Sequence, residues 1–201
     1  MKNFIKYSFD WISALIAVLV LLPILFVPIA LLIKLTSKGP IIFKQKRIGR
    51  NKNIFYLYKF RTMRIDTPRD VPTHQFKNPE QWITPLGSFL RKTSIDELPQ
   101  LFNILRGEMS IIGPRPALWN QDDLIAERDK YGVNKLRPGL SGWAQINGRD
   151  TLPISVKAKL DGEYIKKQSF WFDIYIILRT VLKVFKDDSV VEGGTGKLGR
   201  E

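Results

Sequence analysis

No cysteine occurs in the 201-residue chain, and histidine occurs once. The first absence excludes disulfides, a thiol nucleophile and cysteine-held zinc, and it fits a reducing compartment. The second excludes a Ser-His-Asp triad on any histidine but His74, which lies among prolines and polar residues and reads as a solvated loop residue. Acidic residues are scarce in one region only. Residues 1–65 hold twelve Lys/Arg and a single acid, Asp10, and so carry +11 of the formal +13. The basic excess therefore surrounds the N-terminal segment. That placement favours anionic lipid over a nucleic-acid surface on the folded part. At this length the chain reads as one compact unit with one appendage.

The appendage is Ile12–Ile33, ISALIAVLVLLPILFVPIALLI, without a charge. As a helix its 22 residues at ~1.5 Å each reach about 33 Å, enough to cross a bilayer core. The run is too long for the apolar part of a cleaved signal, and no small-residue cleavage site follows it. Pro23 stands at its centre and Pro28 follows; an interior proline removes a backbone hydrogen bond and bends a helix. Lys2 and Lys6 precede the run, and Lys34, Lys38, Lys44, Lys46, Arg47, Arg50 and Lys52 follow it. Charge thus gives no clean orientation, although the heavier C-terminal flank would keep the main domain cytoplasmic. Two topologies stay open: a single span, and a hairpin bent at Pro23 that leaves by the face it entered.

Beyond the run, Ile54–Met63 reads as a strand, with Leu57, Lys59 and Arg61 on one face and Tyr56, Tyr58 and Phe60 on the other. Residues 66–80 read as an exposed loop. Short helices are expected over Leu86–Arg91 and Ile95–Leu105, the latter ended by Gly107, and a polar surface helix over Asp122–Tyr131. Arg137–Arg149, RPGLSGWAQINGR, has too many glycines for a regular element and reads as a structured loop. Phe170–Phe185 is a helix that suits either a core position or the headgroup level of a membrane. The tail from Glu192 reads as disordered.

The densest chemistry lies in Thr93–Pro116, TSIDELPQLFNILRGEMSIIGPRP. Ser94-Ile95-Asp96-Glu97 fits a capping box, in which Ser94 and Glu97 satisfy free backbone donors at a helix start. The same position would hold a carboxylate in the charged form that a nucleophile needs. A carboxylate can attack phosphorus, and its neighbour can hold Mg²⁺. Phosphoryl transfer also needs cations around the equatorial oxygens, and a guanidinium supplies paired hydrogen bonds. Arg115 is stiffened by Pro114 and Pro116, and Arg137-Pro138-Gly139 and Gly148-Arg149 set two more arginines on constrained backbone. With Lys59 and Arg91 they make a candidate anion site.

YKFRTM (58–63), RKTSIDELPQLFNILRGEMSIIGPRP (91–116) and RPGLSGWAQINGR (137–149) together resemble the bacterial sugar transferases, the monotopic phosphoglycosyl transferases. The resemblance runs over residues 4–188. It implies an α+β, mostly helical catalytic domain (36–188), preceded by a re-entrant, proline-bent membrane helix (1–35), with interfacial amphipathic helices and a flexible tail (189–201). It implies transfer of a phospho-sugar from a UDP-sugar to polyprenyl (undecaprenyl) phosphate, the first membrane step of a capsule, exopolysaccharide, O-antigen or glycoprotein glycan pathway. The family's nucleophile falls on Asp96, and Asp96 with Glu97 would hold Mg²⁺. Lys59, Arg91, Arg115, Arg137 and Arg149 match its basic positions, Arg115 and Arg149 being expected at the nucleotide or its phosphates. The implied partners are UDP-sugar, polyprenyl phosphate, membrane lipid and downstream glycosyltransferases, with no nucleic acid. The implied location is the cytoplasmic face of the bacterial inner membrane. Leu22-Pro23 replaces the Ser-Pro of some members, which predicts a milder break. The chain corresponds to the minimal catalytic form. The competing reading is a non-catalytic, membrane-anchored basic scaffold.

Overall fold

A computed structural model describes residues 2–68, 78–148 and 152–186, and the chain within them is mostly helical with two small sheets. Helix α1 (Lys2–Leu21) continues through a π turn at Leu22–Phe26 into α2 (Val27–Thr36). Pro23 is the physical reason for that turn. Its ring cannot sit over the carbonyl of Leu19 in a regular helix, and the wider turn makes room. Asn3–Thr36 is long and apolar enough to cross a membrane, yet only 22% of its most apolar stretch is buried against the protein. The core helix of a soluble protein would be mostly covered.

The basic segment after α2 was not expected as a strand. It forms β1 (Ile42–Ile48), paired antiparallel with β2 (Ile54–Phe60), so that Phe43 faces Lys59 across the ladder. On β2, Phe55 and Leu57 are buried and Lys59 follows them on the same face, as alternation predicts. Phe60, expected opposite, is buried as well, because Phe26 of the π turn packs edge-on against it at 5.3 Å.

The N-terminal helices are part of the core. Ala14 and Val18 pack with Phe55, Leu57, Leu101, Ile104 and Met109. Phe26, Ile29 and Ile33 pack with Phe60 and Leu90. Each large side chain so buried contributes roughly 1.5–3 kcal/mol. The opposite face stays bare, with Phe4, Ile12, Ile16, Leu19, Ile24 and Leu31 all exposed.

Helix α3 (Pro85–Lys92) matches the expected short helix, capped by Thr84, whose hydroxyl accepts from the Gly87 N–H at 2.9 Å. Gly87 lets α3 lie against the chain after β2: a Cβ there would come within 2.0 Å of the Thr62 carbonyl. The helix expected over Ile95–Leu105 is two pieces, a 3₁₀ turn at Ile95–Glu97 and α4 (Gln100–Leu105). Then come β3 (Ser110–Ile112), α5 (Asp122–Asp129), β4 (Gly139–Ser141), α6 (Trp143–Ile146), α7 (Ile154–Lys167) and α8 (Phe170–Lys186).

The glycine-rich 137–149 segment is more regular than its composition suggests. It supplies β4, which pairs in parallel with β3, and α6. Its glycines serve close approach: a Cβ on Gly142 would meet the Gly113 carbonyl oxygen at 2.0 Å. Helix α5 is less of a surface helix than its polarity implied, since Leu124 and Arg128 are buried. Helix α8 is in the core on one face and bare on the other. Ile176 is fully buried, while Trp171, Tyr175, Leu178 and Leu182 are exposed. His74 and the tail from residue 187 lie outside the described residues.

Candidate active site

Three elements converge on the acid pair. The 3₁₀ turn presents Asp96 and Glu97, only 2% and 9% exposed. Strand β2 brings Lys59, whose Nζ lies 2.7 Å from Glu97 Oε1 and 3.6 Å from Asp96 Oδ2. The segment after β3 brings Arg115, with Nη1 3.5 Å from the same Glu97 oxygen. Two carboxylates thus meet two cations within a few ångströms, where partial burial weakens solvent screening.

The capping box does not form. Ser94 sits in the left-handed region at φ 55° and makes no side-chain cap, and no α-helix begins at the pair. Glu97 does not turn back to the Ser94 backbone because Lys59 and Arg115 engage its carboxylate instead. The cationic side chains, rather than a helix start, provide the electrostatic setting of the pair.

Asn103 holds this turn in register with the strand. Fully buried on α4, it donates from Nδ2 to the Tyr56 carbonyl at 2.8 Å and accepts from the Tyr58 N–H at 3.1 Å. One amide therefore ties the helix after Asp96-Glu97 to the strand that carries Lys59. Nothing in its sequence context separates it from a solvated helix asparagine.

Arg128 is the other residue that sequence reasoning missed. It is 5% exposed and donates from Nη1 to the Arg115 carbonyl at 2.9 Å. Its Nε and Nη2 donate to Asp161 Oδ2 at 2.9 and 2.7 Å. Burial pushes the Asp161 carboxyl up from its ordinary range, and Arg128 pulls it back down. The pair links α5 to α7 and fixes the backbone at Arg115 from behind. Proline on either side was expected to stiffen Arg115; this ion pair determines where the stiff segment lies.

The remaining predicted cations are spread out. Arg91, on α3, donates from Nε to Thr62 Oγ1 at 2.8 Å, close to the end of β2. Arg137 stacks on the Tyr7 ring of α1, 4.0 Å from its centroid, and among the contacts described none joins it to the acid pair. Arg149 lies outside the described residues. Beside Glu97 and Arg115 opens a cavity of about 220 Å³.

A buried acid pair braced by lysine and arginine beside an open cavity suits chemistry on a phosphate. The family model for the bacterial sugar transferases matches residues 1–187. The chain belongs to the bacterial sugar transferase family. Among similar sugar transferases is the Escherichia coli (strain K12) UDP-glucose:undecaprenyl-phosphate glucose-1-phosphate transferase, 40% identical over 92% of this chain and 41% of its own length. The Aeromonas hydrophila UDP-N-acetylgalactosamine-undecaprenyl-phosphate N-acetylgalactosaminephosphotransferase is 38% identical over 89% of this chain and 43% of its own. The Sinorhizobium fredii exopolysaccharide production protein ExoY is 37% identical over 88% and 83%. This sugar transferase chain therefore spans about two-fifths of the first two relatives and most of the third.

Proposed function

We propose that the chain transfers a phospho-sugar from a UDP-sugar to a polyprenyl phosphate, undecaprenyl phosphate as in the names of its relatives, and releases UMP. The observation that carries this reading is the buried Asp96-Glu97 pair braced by Lys59 and Arg115. An Asp96 carboxylate oxygen attacks the sugar-side phosphorus; the bond from that phosphorus to the bridging oxygen breaks, and UMP leaves with the oxygen. The phospho-sugar is then held on Asp96 as an acyl phosphate. A phosphate oxygen of the lipid next attacks the same phosphorus and displaces the Asp96 carboxylate, giving the polyprenyl-diphosphate sugar. Arg115, with Lys59, orients and neutralises the diphosphate, and Arg91 and Arg149 are assigned to it as further basic groups.

The donor chemistry of the pair fits Mg²⁺, which is held by one or two carboxylates together with substrate phosphates. Asp96 and Glu97 would hold it. When bound, it supplies neutralisation of the diphosphate charge.

We read the N-terminal helix as a re-entrant anchor on the cytoplasmic face. A helix standing across a bilayer leaves its domain at one end. This one is in contact from Tyr7, under Arg137, through Trp11, whose indole N–H donates to the Leu105 carbonyl at 3.0 Å, to Ser37, which accepts from Arg61 at 2.6 Å. A span would drag those domain surfaces into lipid. A cysteine at Lys2 should therefore react with an impermeant thiol reagent only when the cytoplasmic face of inner-membrane vesicles is accessible. Labelling from the opposite face would establish a span.

The scaffold reading finds no counterpart among the sugar transferases just described. The deciding experiment is a UMP-release screen over a panel of UDP-sugars with undecaprenyl phosphate as acceptor. At least one sugar should give acceptor-dependent UMP and a lipid-linked product. Silence across the panel, with the protein folded and membrane-bound, would reject the transferase reading.

A further inference from the structure

The cavity beside the acid pair has two unlike kinds of wall. Glu97 and Arg115 line it, and most of the remaining wall is aliphatic, including Ile112, Leu140 and, from α8, Ile177 and Val181. Its polar lining beyond Glu97 and Arg115 is Ser94, Ser141, Gln145, Thr180 and Lys183, and Lys183 Nζ donates to the Ile146 carbonyl at 3.5 Å. Thr180 donates to the Ile176 carbonyl at 2.8 Å, so at the 2.6 Å contact between the two hydroxyls Ser141 is the donor. Gln145 donates to the Leu140 carbonyl at 3.2 Å, and its Oε1 is buried beside Gly142. A hydrocarbon meets little desolvation cost on the aliphatic part of that wall, where a nucleobase would find few partners for its ring polar groups.

Part of the wall reaches the surface. Val181 lines the cavity and is itself 48% exposed. One helical step away runs the stripe Trp171, Tyr175, Leu178 and Leu182, all exposed and spaced by four, three and four residues. A stripe of this kind lies in the interface of a bilayer. The cavity therefore joins the exposed face of α8 to Glu97 and Arg115.

We propose that this cavity is the lateral port through which the phosphate-proximal isoprene units of the acceptor lipid pass from the bilayer to Glu97 and Arg115, next to Asp96, with Ile177 and Val181 as its wall on α8. The assignment rests on the transfer reaction proposed above. Its volume accommodates only the first units of a long isoprenoid; the remainder stays in lipid along the α8 stripe. The lipid phosphate then arrives beside Arg115 and Glu97, and water is excluded from the path behind it.

The test uses the full chain in vesicles and two variants that fill the port, Val181→Trp and Ile177→Phe. Exchange of labelled UMP into the UDP-sugar needs no acceptor, whereas transfer to undecaprenyl phosphate does. The variants should raise the acceptor KM by about tenfold or more relative to any change in exchange. If exchange and acceptor KM worsen in parallel, or neither moves, the port is wrong. If the unmodified chain makes product without any exchange, the covalent intermediate falls and the acceptor KM still judges the port. A second arm needs no turnover: a diazirine-bearing geranyl phosphate is photolysed on the unmodified chain and the labelled residues are mapped. Labels on α8 and Leu140 that undecaprenyl phosphate displaces are expected. Labels elsewhere, or labels that UMP displaces while undecaprenyl phosphate does not, overturn the port and give the cavity to the nucleotide. Expected labelling in a chain that transfers no sugar would sink the reaction and keep the lipid site.

Discussion

Asp96→Asn is expected to lower sugar-phosphate transfer by about a thousandfold or more while UDP-sugar binding survives. The substitution keeps the shape of a side chain that is 2% exposed, so the fold should hold. On the proposed reaction, what it removes is the attacking oxygen, together with the charge beside Lys59 Nζ, 3.6 Å away. Lys59, Arg115 and Glu97 remain in place to bind the diphosphate. The readouts are UMP release and calorimetric binding of the UDP-sugar. Mass spectrometry must exclude deamidation, because a small fraction reverting to aspartate would mimic residual activity. Normal UMP release from a verified Asp96→Asn protein would remove Asp96 from the role of nucleophile.

The second large effect is expected far from the acid pair. Asp161→Ala leaves the Arg128 guanidinium buried without its carboxylate and should destabilise the protein by about 3–5 kcal/mol. A double variant, Arg128→Met with Asp161→Leu, should recover most of that stability, since apolar side chains of similar size can replace a buried pair. It should not recover turnover. The double variant has no guanidinium to donate to the Arg115 carbonyl, and with that hydrogen bond goes the placement of the Arg115 side chain. The expected pattern is a near-normal melting temperature with a raised KM for the UDP-sugar. Full activity in a stable double variant would reduce the pair to a fold element without influence on the site.

The parts of this site legible in the chain were those that chemistry marks locally. Asp96, Glu97 and the proline-flanked Arg115 stand out because an acid pair and an arginine between prolines fall within one short stretch. Lys59 was legible through strand alternation, which set it on the face of Leu57, a buried residue. The capping box was the wrong reading of the right residues. Ser94 and Glu97 have the spacing, but Glu97 has stronger partners in Lys59 and Arg115 than in a backbone amide, and those partners are far off in sequence. The strand β1 was hidden because three of its seven residues are basic and its middle alternates between half-buried and exposed, so its pattern resembles a solvated flank. Helix α7 was not anticipated either; its few buried positions, Ala158, Asp161, Gly162 and Tyr164, include only one large apolar side chain.

The chain's own order of residues settled composition, the apolar membrane-length run, the acid pair and the family pattern, since each is a property of neighbours along the backbone. Only the tertiary structure could decide that the apolar helix lies on the domain, with Ala14, Val18, Phe26, Ile29 and Ile33 in its core. It also decided that Arg128 and Asp161 hold Arg115, and that α8 supplies part of the wall of a cavity beside Glu97. The physical reason is common to all three. Burial and hydrogen bonding depend on partners tens of residues apart, and no local pattern states which partner a side chain will find.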